Sequence, residues 1–331
     1  MYQMLEVKLA SYLPFLDRMG PGLYHPPSDT IEVYDLGKSA ENDWTFKNPG
    51  FTAIAHPSGL DIGIGHGVYI LEEKEEKGVL SEFRTCLQVL QKPTVEMMYD
   101  KGAVLQPEDN KYMDMKEPWV YSDSCFFFDH DISRKLIDFY VNESPLNCEI
   151  DSWGDFLQAL GPRATKEYIH RTNNVSTVTP SLIPTKEKIY EMLKGTPLNL
   201  VCLNVSKFYH IGTIPECLDH FCNADNLAHH MNFGSQVCSK IVKSPKVING
   251  VANSVVNGVS NGAQSSSGDD KENDEEPIPP KKGKRGPGGV IMNSVVCEKS
   301  TLDDRCVVEY CNLQVPIKVP KNSLVSNCEY L

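Results

Sequence analysis

The clearest hydrophobic pattern in the chain runs from Val120 to Gly161 and predicts a strand, an amphipathic helix, and an acidic turn that opens a second helix. The predicted strand, Val120–Phe128, is aromatic and apolar but contains Asp123. A carboxylate in a strand built for burial needs a partner, and a cation or a ligand would supply one. This stretch is therefore the first candidate for a functional site.

Three acids precede the apolar stripe of the second helix: Glu149, Asp151 and Asp155. Asp155 stands directly before that stripe and is interpreted as the helix N-cap. Glu149 and Asp151 are two residues apart, so in an extended chain their side chains point the same way, which favours a shared ligand. The alternative for all three is that acids stabilise the positive end of a helix dipole.

Periodicity predicts the remaining elements of the core as well. Apolar residues at helical spacing indicate a helix over Tyr2–Leu16 that ends near Pro14. The other predicted elements are a strand in Pro21–Tyr34, two strands around a turn in Phe51–Leu71, a strand over Thr85–Pro93, a helix over Lys186–Lys194, a strand over Leu198–Leu203, and a strand, glycine turn and helix in FYHIGTIPECLDHF.

Aliphatic residues recur every six positions near the C-terminus, at Val307, Leu313, Val319, Val325 and Leu331. This period is typical of a left-handed β-helix, in which inward aliphatic side chains stack from coil to coil. Stacked repeats generally need three or more copies, so this segment is predicted to be too short to be stable alone. Hexad repeats also build an acyltransferase class, but those enzymes devote most of their length to them.

Residues 243–289 differ from the rest of the chain in composition. The segment is rich in Asn, Gly and Ser, then acidic, and then basic and rich in proline. Such a composition cannot bury enough apolar surface to offset the entropic cost of ordering, so it predicts a dispensable, disordered linker. Its KKGKR run is interpreted as a solvated linker end, with a nuclear-import signal as the alternative.

Composition narrows the functional class. The formal net charge of −12 argues against a nucleic-acid surface, although a few local Lys and Arg residues and a cation can still bind a single nucleotide. No apolar segment is long enough to cross a bilayer and no secretory signal is evident, so no membrane partner and a cytoplasmic location are predicted. The 11 cysteines include no C-x-x-C pair, which favours reduced, mostly buried thiols.

Several blocks of the chain resemble the fucose-1-phosphate guanylyltransferase family, also called GDP-fucose pyrophosphorylase. They include SDSCFFFDH, CEIDSWGDFLQALGP and NVSKFYHIGT, and the likeness begins at MYQMLEVKLASY. The resemblance implies an α/β fold, with a Rossmann-like sugar nucleotidyltransferase core in residues 1–242, the linker 243–289, and the start of a left-handed β-helix in residues 290–331. The implied reaction transfers GMP from GTP to fucose 1-phosphate and releases pyrophosphate.

The resemblance also implies roles for individual residues. Lys92, in Gln91-Lys92-Pro93, is similar to the lysine of a Glu-Lys-Pro element that meets the sugar phosphate, although on sequence alone it is a surface lysine at a strand end. A residue before proline is held extended, which would direct the Lys92 ammonium into a cleft. Asp123, Glu149 and His66 are expected to bind substrate, and His66 is otherwise a structural histidine.

A divalent cation, Mg²⁺ or another, is the implied cofactor. Asp29 falls where the family has a metal-binding Asp at the C-terminal end of a parallel strand, and the alternative is an ordinary Ser-Asp turn. His210 stands where related enzymes often have a metal-binding Asp. Because Mg²⁺ prefers oxygen, the cation could instead use Asp29 with Glu149 or Asp151, and both options stay open. Asp29 and Lys92 are predicted to face one cleft.

The resemblance begins at a helix that follows, in the family, the first strand and a glycine-rich nucleotide loop. The chain is therefore expected to be shortened at that end, and similarly at its C-terminus, with impaired activity as a consequence. The alternative function is a non-catalytic sugar-phosphate-binding or regulatory remnant of the family, which would keep the sugar half of the cleft.

Overall fold

The computed structural model describes residues 4–37, 44–73, 80–223, 227–231, 234–243 and 289–331. It contains two compact units, Tyr2–Thr213 and Ile214–Leu331. The division between them differs from the boundary predicted at residue 242. The predicted linker, apart from its first and last residues, lies outside the described part of the chain.

The first unit contains both helices and strands. Its elements are α1 (Met4–Leu16), β1 (Gly22–His25), β2 (Thr30–Tyr34), β3 (Phe51–Gly59), α2 (Leu60–Gly63), β4 (Gly67–Leu71), β5 (Ser81–Gln91), α3 (Val95–Asp100), β6 (Trp119–Asp129), α4 (His130–Glu143), α5 (Leu182–Leu193), β7 (Leu198–Leu203) and β8 (Ser206–His210). Short 3₁₀ turns cover Pro107–Asp109, Leu157–Ala159 and Lys166–His170, and a π turn covers Ser152–Phe156.

Six strands form one mixed sheet in the order β1-β6-β3-β7-β5-β4, and β2 pairs with β8 separately. The predicted α/β class is confirmed in this general form. Within the described residues of the sheet, parallel pairing is confined to β3 and β7, and the other pairings are antiparallel. The parallel arrangement expected of a Rossmann-like core is thus limited to one pair in the sheet.

Strand β6 lies at the centre of the core because it is apolar on both of its faces. Phe126 and Phe128 belong to one buried cluster, and Phe127 belongs to another on the opposite side of the sheet. Alternation of side chains along a strand accounts for this division. Helix α1 supplies Tyr12 and Phe15 to the second cluster, whereas α5 packs in the first.

Helix α4 begins directly after β6. The Asp129 side chain accepts a hydrogen bond from the Ile132 amide at 2.9 Å, as expected of an N-cap, and another from the Gly50 amide at 2.7 Å. One face of the helix then packs on the core through Ile132 and Leu136. The strand and amphipathic helix predicted from the sequence are therefore both present.

The prediction that Asp155 is the N-cap of the next helix was wrong. Asp151 holds that position, and its side chain accepts from the Trp153 amide at 3.1 Å. Asp155 is fully buried, lies 3.0 Å from the Lys186 ammonium, and accepts from the Asp151 amide at 2.9 Å. Its partner is 31 residues away in the sequence, so no local pattern could reveal the pairing.

The second unit is a coil of short parallel strands preceded by α6 (Ile214–Cys222) and α7 (Leu227–His230). Three stacks of strands form its sides. They are β9 (Gln236–Val237), β11 (Val290–Met292), β14 (Val307–Glu309) and β17 (Leu324–Ser326) on one side, β10 (Lys240–Val242), β12 (Val295–Cys297), β15 (Asn312–Leu313) and β18 (Glu329–Tyr330) on the second, and β13 (Thr301–Leu302) and β16 (Lys318–Val319) on the third.

Paired residues in successive coils are 17 positions apart, as in Val290 and Val307, so the repeat is one residue shorter than three hexads. The shortened side contains a residue with positive φ at Asn293, Tyr310 and Asn327, where the chain turns in a left-handed conformation. The coil interior holds Val308, Leu313, Val319 and Val325.

Two members of the predicted hexad series were consequently misplaced. Val307 packs with Leu218 of α6 instead of the coil interior, and Leu331 is exposed. The prediction of stacked aliphatics is correct for Leu313, Val319 and Val325, because a five-residue side breaks the strict six-residue period only once in each coil.

Composition predicts reduced thiols and no membrane-spanning segment. All 11 cysteines are free thiols, and six of them are buried. No helix in the described segments combines the length and the apolar character needed to cross a membrane.

The coil yields a prediction about the segment between β10 and β11. Val237 pairs with Met292, a separation of 55 residues instead of 17, so 38 residues are in excess of one coil.

Deleting the 38 residues Gly250–Pro287 restores the 17-residue spacing and should change the unfolding midpoint by less than about 2 °C in a thermal scan. A control deletion of 244–289 leaves too few residues for a coil and should lower the midpoint by more than about 5 °C, so we now expect Gly250–Pro287, and not all of 243–289, to be dispensable. Equal losses in both variants would contradict the prediction.

Candidate functional site

A cavity of about 390 Å³ lies beside the middle of β6 in the first unit. Residues from β1–β2, the turn before β4, the end of β5, β6, the π turn and β8 contribute to its wall. The lining residues are Pro27, Ser28, Asp29, Thr30, Gly65, His66, Gln91, Lys92, Asp123, Ser124, Asp151, Trp153, Asn174, Phe208 and His210.

Six of the seven site residues predicted from the sequence line this cavity: Asp29, His66, Lys92, Asp123, Asp151 and His210. The prediction that Asp29 and Lys92 face one cleft is therefore confirmed. The roles assigned to the individual side chains stay predictions.

Glu149 is the exception. Its exposed carboxylate accepts hydrogen bonds from the amide and hydroxyl of Ser176 and does not line the cavity. Asp151, two residues on, instead accepts from Asn174 at 3.2 Å. The two acids thus bind residues that are two positions apart in the segment 174–176, but only Asp151 reaches the cavity wall. The expectation of a shared ligand therefore does not hold for Glu149.

Asp123 is the most deeply buried carboxylate of the cavity wall. Its Oδ1 accepts from the Gly67 amide at 3.0 Å, and the His66 Nδ1 lies 4.0 Å from the same oxygen. A Cβ added to Gly67 would lie 2.2 Å from Oδ2, so only glycine permits this close approach. Gly67 thus leaves room for the Asp123 side chain and donates a hydrogen bond to it.

Burial raises the pKa of Asp123 to about 7. The Gly67 hydrogen bond and the positive charge of Lys92 oppose this effect, and the negative charge of Asp151 adds to it. The carboxyl group therefore titrates near neutral pH. A perturbed acid in a cavity is a common sign of a functional site.

Lys92 adopts a backbone φ of 46°, which contradicts the extended conformation predicted for a residue before proline. Its amide donates to the His66 carbonyl at 2.9 Å and so joins the end of β5 to the turn before β4. A left-handed conformation in a residue other than glycine costs on the order of 1–3 kcal/mol, and outside tight turns it is a common feature of functional sites. The long-range hydrogen bond, which the sequence does not reveal, explains the difference.

Asp29 and His210 lie beside each other, with Asp29 Oδ2 and His210 Nε2 3.2 Å apart. Asp29 is in the turn between β1 and β2, not at the end of a parallel strand as predicted. Antiparallel pairing of β2 with β8 sets Thr30 opposite His210 and thereby brings the two side chains together. A Cβ on Gly212 would lie 2.7 Å from the imidazole, so this position also requires glycine.

The predicted metal ligands Asp29, Asp151 and His210 do not form a three-ligand group. In the described part of the chain, no three His, Cys, Asp or Glu side chains gather closely enough to hold a metal ion. Asp29 is paired with His210, whereas Asp151 is bonded to Asn174 and to the Trp153 amide. The carboxylate oxygens nevertheless suit a hard cation that takes its remaining ligands from phosphate and water.

Comparison with known proteins identifies the family of the chain. A model of the fucose pyrophosphorylase domain matches residues 1–331. The chain belongs to this family. Fucose-1-phosphate guanylyltransferase from Mus musculus is 44% identical over 263 residues, which cover 76% of this chain and 44% of that protein. The enzyme of the same name from Homo sapiens is 42% identical over 245 residues, covering 71% and 40%.

The chain therefore spans less than half the length of these curated relatives. Among solved structures, mannose-1-phosphate geranyltransferase from Thermus thermophilus is similar at 10% identity and a TM-score of 0.31, over 97% of this chain and 64% of that one. A similarity this low carries no argument about fold or function.

The structure also reveals site residues that sequence reasoning missed. The Oε1 of Gln91 and the Oδ1 of Asn174 are buried in the cavity wall without a hydrogen-bond partner among the described residues. A single Gln or Asn forms no pattern in a sequence. The position of Gln91 directly before Lys92 could nevertheless have indicated that both lie at the same site. Unpaired buried acceptors are costly, which suggests that a ligand donates to them.

The raised pKa of Asp123 generates a prediction about stability. The folded chain keeps this proton up to about pH 7, whereas an ordinary Asp releases it near 3.8. The free energy of unfolding should therefore fall as pH rises from about 4 to about 7 and then level off, by an amount on the order of 4 kcal/mol. Asp123→Asn has no such proton and should lack this component in urea unfolding across the same pH range. The exposed Asp138→Asn is the matched control, and a pH profile of Asp123→Asn parallel to that of the unsubstituted protein would refute the assignment.

Proposed function

We propose that the cavity binds fucose 1-phosphate and GTP and transfers GMP between them, giving GDP-fucose and pyrophosphate. The observation that carries the proposal is the convergence of Lys92 with several carboxylates on one cavity in a member of the fucose pyrophosphorylase family. The relatives named fucose-1-phosphate guanylyltransferase support the same substrates.

In the proposed reaction an oxygen of fucose 1-phosphate attacks the α-phosphorus of GTP, and the bond to the departing pyrophosphate breaks. No covalent enzyme intermediate is needed, so the protein binds and orients two anions and offsets their charge. Lys92 is assigned to the sugar phosphate. Asp123 and His66 are assigned to the sugar, since an acid and an imidazole can pair with its hydroxyl groups.

Mg²⁺ is the proposed cofactor, and it would neutralise phosphate charge when bound. Asp29 and Asp151 would supply its carboxylate oxygens, because Mg²⁺ commonly takes one or two carboxylates and completes its shell with substrate phosphates and water. His210, which contacts Asp29 at 3.2 Å, would orient that carboxylate.

A second candidate function is the binding of a sugar phosphate without nucleotide transfer. Lys92 is the sole Lys or Arg among the described residues that line the cavity. One ammonium group matches a single phosphate better than it matches a triphosphate and a sugar phosphate together. A regulatory or storage role for the sugar phosphate would need no further cation.

We also infer that the coil winds in the left-handed sense and that the protein works in the cytoplasm. Short parallel strands with aliphatic residues at five- and six-residue intervals support the first inference. The 11 free thiols support the second, because such thiols persist in a reducing compartment. A net charge of −12 supports small anionic substrates held by local groups over a nucleic-acid partner.

The proposal predicts a selective effect of Lys92→Met. Loss of a charge-assisted hydrogen bond should weaken fucose 1-phosphate binding by about 10- to 100-fold in isothermal titration. The matched control is Lys135→Met on the exposed side of α4, which should bind as the unsubstituted protein does.

Pyrophosphate release from GTP separates the two candidate functions. Release that requires fucose 1-phosphate and is reduced in Lys92→Met supports the transferase. Tight binding of fucose 1-phosphate with no release supports the second candidate, and the absence of both binding and release overturns the assignment of this cavity.

A further inference from the structure

Glu32, on β2, is buried and accepts four hydrogen bonds with its two carboxylate oxygens. The Oε2 atom accepts from the Lys8 ammonium and from the Tyr12 hydroxyl, each at 2.9 Å. The Oε1 atom accepts from Ser124 Oγ at 2.7 Å and from Thr30 Oγ1 at 3.1 Å. One carboxylate therefore joins α1, β2 and β6.

Two of these partners belong to the cavity wall. Thr30 and Ser124 both line the cavity, and each is the residue immediately after a cavity acid, Asp29 in one case and Asp123 in the other. Strands β2 and β6 belong to different sheets and do not pair with each other. Glu32 thus provides a direct side-chain connection between the chain segments that carry the two acids.

The charge of Glu32 determines the direction of these hydrogen bonds. The Lys8 ammonium, 2.9 Å away, lowers the pKa of Glu32 in spite of the opposing effect of burial. An ionised carboxylate can only accept, so the Ser124 hydroxyl must donate its single proton to Glu32. The lone pairs of Ser124 Oγ then remain as acceptors in a residue that lines the cavity.

A wall that offers an oriented acceptor selects for ligand hydroxyl groups, which can donate, over phosphate oxygens, which cannot. The backbone of Ser124 is fixed as well, since the Trp153 indole donates to its carbonyl at 2.9 Å. The unpartnered acceptors of Gln91 and Asn174 belong to the same wall. These observations concern the sugar portion of a ligand and not its phosphate.

We infer that Glu32 is a positioning residue that orients Ser124 as a hydrogen-bond acceptor for a hydroxyl group of the bound sugar and holds Asp29 and Asp123 at a fixed separation. The inference rests on the proposed sugar-phosphate site and specifies how that site recognises the sugar. Lys8 serves Glu32 as its buried counter-ion and has no contact with the ligand in this scheme.

The test compares two ligands that share a phosphate but differ in hydroxyl groups: fucose 1-phosphate and methyl phosphate. Their dissociation constants are measured by NMR titration, which reaches the millimolar range. The Lys8→Met, Glu32→Gln double variant removes both buried charges together and frees Ser124 from its forced orientation. We expect its affinity for fucose 1-phosphate to fall about tenfold, with methyl phosphate affinity unchanged within about twofold.

Phe15→Leu is the control for a merely structural effect. Phe15 is fully buried on α1, the helix that carries Lys8, and packs in a cluster with Trp44 and Phe46 away from the cavity lining. This variant should lose thermal stability and keep both affinities. If the double variant does not fold, Ser124→Ala decides the question, because it removes the oriented acceptor and should cause the same selective loss.

Each outcome has a defined meaning. Unchanged binding of fucose 1-phosphate in the double variant, or in Ser124→Ala where the double variant does not fold, or equal weakening of both ligands overturns the inference but leaves the proposed function intact. Failure of the unsubstituted protein to bind fucose 1-phosphate overturns the proposed function, and the inference falls with it.

Discussion

The buried ion pair between Lys8 and Glu32 is the constraint on which the cavity depends. A buried pair contributes little net stability, because the cost of removing both charges from water offsets their attraction. Removing one partner alone is far more damaging, by about 3–5 kcal/mol, since the other charge is left uncompensated. The main effect of the pair is therefore to fix the relative positions of the elements that it joins. It connects α1 to two strands that do not share a sheet, and each of these strands brings an acid to the cavity.

A second buried pair has the same function on the other side of the cavity. Asp155 and Lys186 are almost completely inaccessible to solvent and lie 3.0 Å apart. Asp155 accepts the backbone amide of Asp151, so the pair supports that cavity acid through the main chain. Asp151 is held through its amide by a buried acid that has its own lysine, whereas Glu32, paired with Lys8, bonds to the residues that follow Asp29 and Asp123. Several carboxylates can therefore lie near one cavity. The acids buried behind its wall would be costly to remove from water alone, but each has a lysine as its counter-ion.

The coil of the second unit depends on backbone geometry instead of charge. Its interior residues follow intervals of five, six and six residues, and the five-residue side of each coil contains one residue with positive φ. Asparagine occupies two of the four observed corners at this side, in keeping with its tolerance of the left-handed region. Cys238 and Tyr310 occupy the other two without this advantage, and no neighbouring residue in the sequence indicates the turn.

The sequence by itself determined the elements whose signals are local. The strand β6, its helix α4 and three of the stacked aliphatics follow from periodicity, and Asp123 and Asp151 stand out as acids beside apolar runs. Asp29, His66, Lys92 and His210 were singled out through the resemblance to the family, and they line the cavity with the two acids. Tertiary structure alone decided the rest. Lys92 takes a left-handed backbone because its amide bonds to His66, Asp155 turns inward to Lys186, and Glu149 turns away to Ser176. In each case the deciding partner is distant in the sequence, and the energy of a buried charge or hydrogen bond outweighs the local preference that a pattern can record.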